Sequence, residues 1–346
     1  MRKPVRTISV WPVLAGFLLL VLLVVSGWVW MNLFRPLDIS PEGYRVRVDR
    51  GTGYQAVFDR LDKDGKLRNR TLAKAYFRFL QARPLQMGVY QFKPGLSPAG
   101  LLRQLSQGEG LIYTRITVIE GTTFAKLREQ LAANPDIRQT LRDKSDSQIM
   151  SLVGSPVTNP EGLFAPDTYV FVPGDSDELV YRKLYEQQKR VLEKAWAARA
   201  PGLPYRTPYE ALIMASIVEK ETGNAAERPK IAGLFVRRLQ QGMRLQTDPT
   251  VIYGLGKAYN GNLRKIDLIT PTPYNTYRID GLPPTPIALP GKAAIEAALN
   301  PEPGDSLYFV ARGDGSGTHI FSADLKAHNA AVRAYIENTR QRKAQP

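Results

Sequence analysis

Residues 7–34 run for 28 positions without a charge, and within them residues 18–25 read Leu-Leu-Leu-Val-Leu-Leu-Val-Val. A helix of that length crosses a hydrocarbon core of about 30 Å with room for tilt, so the stretch predicts one transmembrane helix at residues 11–34. Arg2, Lys3 and Arg6 precede it. By the positive-inside rule a short tail, residues 1–10, stays in the cytoplasm and everything beyond Arg35 lies outside. Trp11, Trp28 and Trp30 fall near the two ends, where interfacial aromatics sit. A cleaved signal peptide fits less well. The run is long for one and leads into Trp28-Val-Trp-Met rather than a small-x-small cleavage site.

The 346 residues suffice for two or three domains. With 47 Lys and Arg against 32 Asp and Glu, the formal net charge is +15, which suits phospholipid headgroups, cell-wall polymer or nucleic acid. No nucleic-acid-binding motif accompanies the charge, and an extracytoplasmic location argues against such a partner. There is no cysteine, and the two histidines, His319 and His328, are too few for a His-rich metal centre. The expectation is a protein with no cofactor and no metal.

Behind the apolar run a local pattern repeats. Tyr44-Arg-Val-Arg-Val48 alternates like a strand, then Gly51-Thr52-Gly53-Tyr54 turns into a run with Val57, Phe58 and Leu61 at helical spacing. Gly121, Thr122, Phe124 and Leu131 match Gly51, Thr52, Tyr54 and Leu61 at one constant offset. A weaker copy leads from residues 88–92 through Pro94-Gly95 into Leu101, Leu102 and Leu105. Such strand-turn-helix units resemble LysM sugar-binding modules, and a structural role is equally open. They place a front domain at residues 41–155.

Residues 207–254 carry the candidate chemistry. Thr207-Pro208-Tyr209-Glu210 reads as a helix start and Thr222-Gly223-Asn224 as its end. Two acids in the last turn, Glu219 and Glu221, point in roughly opposite directions. Glu221 stacks on Val218, Ile217 and Met214, whereas Glu219 sits over Ser216 and Ala215. A carboxyl on an apolar stripe at the negative end of a helix should hold its proton near neutrality, as a general acid must. The alternative is a solvated charge at a frayed helix end. A second helix is expected after Asn224, with Ile231, Leu234, Phe235 and Leu239 on one face and a stop at Gly242. Residues 307–310 and 319–322 predict a hairpin, followed by a last helix carrying His328.

Four stretches are specific enough to carry a family likeness. They are Ala-Ser-Ile-Val-Glu-Lys-Glu-Thr at 215–222, Arg-Leu-Gln-Thr-Asp-Pro-Thr-Val-Ile-Tyr-Gly at 244–254, Pro-Tyr-Asn-Thr-Tyr at 273–277 and Phe-Ala-Pro-Asp-Thr-Tyr at 164–169. The chain resembles the MltG, or YceG-like, family of endolytic murein transglycosylases over essentially its whole length, departing only in the 286–291 stretch. The resemblance implies an α+β protein on a single N-terminal transmembrane helix in the inner membrane, with LysM-like α/β front modules and a lysozyme-like mixed catalytic domain at 156–340. It implies a lyase that cuts the β-1,4 MurNAc–GlcNAc bond inside peptidoglycan strands, leaves a 1,6-anhydro end and terminates nascent strands, with peptidoglycan synthases as partners. Its catalytic acid falls on Glu221.

Amide, hydroxyl and aromatic groups suited to sugars point to Gln246, Thr247, Tyr253, Tyr274 and Asn275 as substrate contacts. Glu219 is expected to tie down neighbouring loops and Asp248 to cap a turn. Two rivals stay open. One is a muramidase using water, with Glu221 as acid and Asp248 as second carboxylate. The other is a membrane-tethered wall-binding scaffold without catalysis.

Overall fold

The computed structural model describes residues 10–49, 51–80 and 85–344. Arg2, Lys3 and Arg6, which orient the apolar run in the sequence reading, lie outside the described residues. The chain forms two compact units, Met1–Thr114 and Arg115–Pro346.

In the first unit α1 (Trp11–Leu33) is 23 residues long and, among the described residues, is the one helix long and apolar enough to cross a membrane. Its C-terminal end is fastened. Arg68 donates from Nη1 to the carbonyls of Met31 (3.0 Å) and Arg35 (2.8 Å) and from Nη2 to that of Pro36 (2.7 Å). A guanidinium there satisfies orphan carbonyls at the negative end of the helix dipole. Phe34 meets the edge of Tyr76, 6.1 Å between ring centres.

Strands β1 (Tyr44–Val48), β2 (Gly88–Phe92) and β3 (Leu111–Ile112) make an antiparallel sheet in sequence order. Val46 lies opposite Tyr90 and Tyr44 opposite Phe92. The alternation turns Val46, Val48, Tyr90 and Phe92 into one core with α2 (Tyr54–Lys63), α3 (Arg70–Phe79) and α4 (Pro98–Gln107). Ser97 caps α4 by accepting from Gly100 N, and Gly108 ends it in the left-handed conformation, φ 74°.

The second unit opens within the remaining copy of the repeat, β4 (Thr114–Thr117) and α5 (Phe124–Ala132). All three strand-turn-helix copies form, but this one does not belong to a front domain ending at residue 155. Ile116, Val118, Phe124, Leu127 and Leu131 are buried in the core that also holds residues 211–218. The expected boundary therefore moves to 114/115. β4 pairs with β5 (Thr168–Phe171), and α6 (Asp146–Leu152) and α7 (Asp177–Ala197) complete this part.

At the centre stands α8 (Pro208–Glu221), with the predicted ends. Thr207 caps it by accepting from Glu210 N, while Glu210 turns back to Arg206 N rather than to the cap itself. Every residue from 211 to 218 is buried. Helices α7, α9 (Arg228–Gln240), α10 (Asp248–Leu255) and α12 (Lys292–Leu299) pack around α8. Between α10 and α12 the chain makes a 3-10 turn at Gly256–Ala258, a short helix, α11 (Lys265–Ile269), and Pro-rich loops. The predicted hairpin forms as β6 (Tyr308–Ala311) and β7 (His319–Ser322), and α13 (Leu325–Ala344) follows.

The 286–291 stretch is core. Ile287, Ala288 and Leu289 are buried, Leu289 exchanges backbone hydrogen bonds with the turn at Gly121 and Thr122, and Ile287 N donates to Ser216 Oγ on α8.

Candidate active site

The last turn of α8 carries both acids inward. Because α8 is apolar on all sides, its neighbours cover both faces, and the contrast expected between Glu219 and Glu221 is not one of burial. The Glu219 side chain is 4% exposed. It is paired with Arg228 at 3.1 Å and accepts from Gly291 N at 2.9 Å, joining the end of α8 to the starts of α9 and α12. Burial raises its pKa, while the Gly291 amide and Arg228 pull the other way.

Glu221 has no ion-pair partner among the described residues. Its carboxyl is closely surrounded by protein, yet the residue keeps part of its surface open to a pocket. Burial pushes its pKa up to about 7, the Thr247 hydroxyl opposes the rise, and the charge of Asp248 adds to it. Around neutrality this carboxyl holds a proton about half the time.

Thr247 occupies the N-cap position of α10 but makes no side-chain cap there. Its hydroxyl instead donates to Glu221 Oε1. The loop is held for that purpose: Thr247 N donates to Thr276 Oγ1 (3.0 Å), and Thr250 Oγ1 bonds Thr247 O (2.7 Å). The preceding Gln246 has φ 53°, the one non-glycine residue with positive φ among those described. Such a backbone costs about 1–3 kcal/mol and persists where the surroundings dictate it. Here Gln246 N donates to Thr276 O, and its side-chain Oε1 accepts from Arg238.

Glu221, Gln246, Thr247 and Asp248 line one cavity of about 390 Å³, together with Arg238, Tyr277, Tyr308, Phe309 and His328. Asp248 is anchored by the Tyr277 hydroxyl, 2.6 Å away. A larger cavity of about 700 Å³ beside α7 and α12 is lined by none of the candidate residues.

The other sequence candidates do not line the Glu221 pocket. Asn275 is fully buried, its Nδ2 donates to the carbonyls of Asp267, Leu268 and Thr270, and its Oδ1 accepts from Tyr277 N. Its amide is spent on closing a loop, which removes it as a substrate contact. Tyr253 donates to Glu161 Oε2 at 3.1 Å, and Tyr274 bonds Thr285 at 2.8 Å. The two rings meet edge to face at 5.0 Å.

Glu161 and Arg238 were missed. Glu161 is 4% exposed, and burial pushes its pKa up to about 7. It sits in an irregular loop, where periodicity says nothing about direction. Arg238 did leave a signal, standing seven, four and three residues after Ile231, Leu234 and Phe235 on the apolar stripe of α9. Among the described residues no group of three or more His, Asp or Glu side chains could hold a metal ion.

The YceG-like family model matches residues 46–334, most of the chain. The chain belongs to the YceG-like family. This YceG-like protein is 30% identical over 329 residues to the endolytic murein transglycosylase of Bacillus subtilis, covering 90% of each chain. It is 28% identical to the endolytic murein transglycosylase of Streptococcus pneumoniae, over 80% of this chain but 56% of that relative. A crystal structure titled as a putative YceG-like protein from Listeria monocytogenes superposes with a TM-score of 0.53 at 28% identity, over 84% of this chain and 99% of that one.

Proposed function

We propose that this chain is a peptidoglycan lytic transglycosylase in which Glu221 is the catalytic acid. The observation that carries the reading is a carboxyl with a pKa of about 7, without an ion-pair partner among the described residues, that opens onto a polar pocket in a family whose relatives are named endolytic murein transglycosylases. Glu221 protonates the glycosidic oxygen between MurNAc and GlcNAc as the C1–O bond breaks. The 6-hydroxyl of the same MurNAc then attacks C1, and the Glu221 carboxylate takes that hydroxyl proton back. A 1,6-anhydro end forms and no water is consumed. Proton transfer of this kind contributes roughly 10²- to 10⁴-fold. Gln246 and Thr247 position the acid and the sugar, and Thr247 keeps Glu221 from becoming too weak an acid.

The finer reading places α1 in the inner membrane with the N-terminus inside. The LysM-like front then holds glycan, the lysozyme-like second unit cuts it, and nascent strands end beside the synthases that make them.

Asp248 shares the pocket, which is the observation favouring hydrolysis by a second carboxylate. Weighing the fragments of purified peptidoglycan decides between the two. Transglycosylation gives termini lighter by one water than hydrolysis does. Hydrated reducing ends throughout the digest would replace this reading with a muramidase, and no fragments at all would leave the wall-binding scaffold.

A further inference from the structure

Arg238 is the charged side chain of the pocket that the reading above leaves unused. It is 6% exposed and lines the same cavity as Glu221. Its Nε donates to Arg244 O (2.9 Å), its Nη1 to Leu307 O (2.9 Å) and its Nη2 to Gln246 Oε1. A guanidinium has five N–H groups, so one remains on each terminal nitrogen, with no acceptor among the described residues. Among the described residues no carboxylate pairs with it. Burial lowers its pKa, opposing the charge it must carry. Buried charges ordinarily have a partner.

The wall around it points the same way. The guanidinium lies over the Tyr308 ring, 5.5 Å from its centre, and His328 stacks on that ring at 5.3 Å. His328 Nδ1 is buried without a hydrogen-bond partner among the described residues. Tyr277, bonded to Asp248, is close enough to feel the charges of both Glu221 and Arg238. The lining of the pocket thus holds two acids, Glu221 and Asp248, and the Arg238 cation.

We propose that Arg238 is a specificity-determining residue that binds a carboxylate carried by a muramyl residue of the glycan strand. The inference rests on the transglycosylase reading of the same pocket. Muramyl sugars bear a lactyl carboxyl group. On strands stripped of peptide it is free, and on strands with peptides it is amide-linked and the peptide's own carboxylates carry the charge. One N–H on each terminal nitrogen is the arrangement that meets both oxygens of a carboxylate.

The test is a binding titration at about 0.15 M salt, where surface attraction is screened beyond about 8 Å. The full chain in detergent carries Glu221→Gln so that strands stay uncut. Three ligands are compared: strands with peptides, the same strands stripped by an amidase, and stripped strands with the lactyl carboxyl converted to a neutral amide. The neutral strands should bind roughly ten- to a hundredfold more weakly than the better of the charged ones, the worth of a charge-assisted contact. Whichever charged strand binds more tightly identifies the source of the carboxylate.

Adding Arg238→Gln should abolish the difference, and Arg238→Lys, a point charge without the fork, should keep part of it. Neutral strands that bind as well as charged ones overturn the proposal, as does a preference that survives Arg238→Gln in a protein with an unaltered melting profile. Should Arg238→Gln fail to fold, the three-ligand comparison with Arg238 in place still decides. Digestion by the protein with Glu221 in place is read separately. Absence of anhydro ends would remove the transglycosylase reading and leave the carboxylate preference standing on its own.

Discussion

Glu161 and Glu221 are two carboxyls brought to a pKa of about 7 by the same cause, burial, in two regions with different surroundings. Around Glu161 the protein closes completely. Phe124 N at the start of α5 donates to one oxygen (2.9 Å) and Tyr253 OH to the other (3.1 Å), so the group knits a loop to two helices. Around Glu221 one oxygen is held by Thr247 and the residue opens onto the pocket. A shifted pKa alone does not mark a site. Access to the proton separates a structural acid from a chemical one.

The largest expected break in this comparison is Glu221→Gln. The amide keeps the shape without a useful proton, so release of fragments from peptidoglycan should fall roughly 10²- to 10⁴-fold with an unchanged circular dichroism spectrum. Equal loss in Glu161→Gln would mean that the closed acid also takes part.

Next is Glu219→Gln, which leaves Arg228 with Glu120, 3.5 Å away, as its one acidic partner among the described residues, and should lower stability by about 3 kcal/mol while the product keeps its mass. Urea unfolding reads the first and mass spectrometry the second. A protein as stable as the parent would show that the ion pair is not what ties α8 to α9.

The pH dependence sharpens the pair. Glu161 ionises at about 7 in the folded chain against an ordinary 4.5, so its contribution to stability is whole below 4.5 and is lost as the pH rises through 7. That amounts to at most about 3 kcal/mol. Glu161→Gln should flatten the fall in melting temperature between those values and change turnover by less than about tenfold. Activity should instead fall above pH about 7, where Glu221 loses its proton.

The smallest effect is expected of Thr247→Val. Removing a donor to the ionised form moves that falling limb to higher pH, with turnover at its maximum changed by less than about tenfold. A limb that stays in place would sever Thr247 from the acid.

What the sequence conveyed was local. Thr207, Pro208 and the Thr222-Gly223 pair mark the ends of α8, and Asn224 and Gly242 bracket α9, because caps and breakers act within a few residues. Sidedness was harder. Stacking Glu221 on Val218 and Ile217 leads to an acid that is indeed desolvated, but the same argument does not show that Glu219, over Ser216 and Ala215, is buried as well. It assumed one apolar stripe, and which helices surround α8 is tertiary information. The strand-turn-helix repeat misplaced the domain boundary for a similar reason: the pattern at Ile116 and Leu131 says that an apolar face exists, not which core receives it. Residue type in a Pro-rich loop points Asn275 and Tyr274 toward sugar, and type does not give direction. Arg238, on the stripe of Ile231, Leu234 and Phe235, was legible and overlooked among the many surface cations.

The three carbonyls that Arg68 gathers at the end of α1 affect how the first unit would sit at a membrane. A tether that leaves its helix through loose chain lets its cargo swing. Here the joint is splinted, so a bilayer that sets the tilt of α1 also sets the bearing of the β1–β2–β3 sheet, and the first unit would rock with its helix as a keel does with a hull.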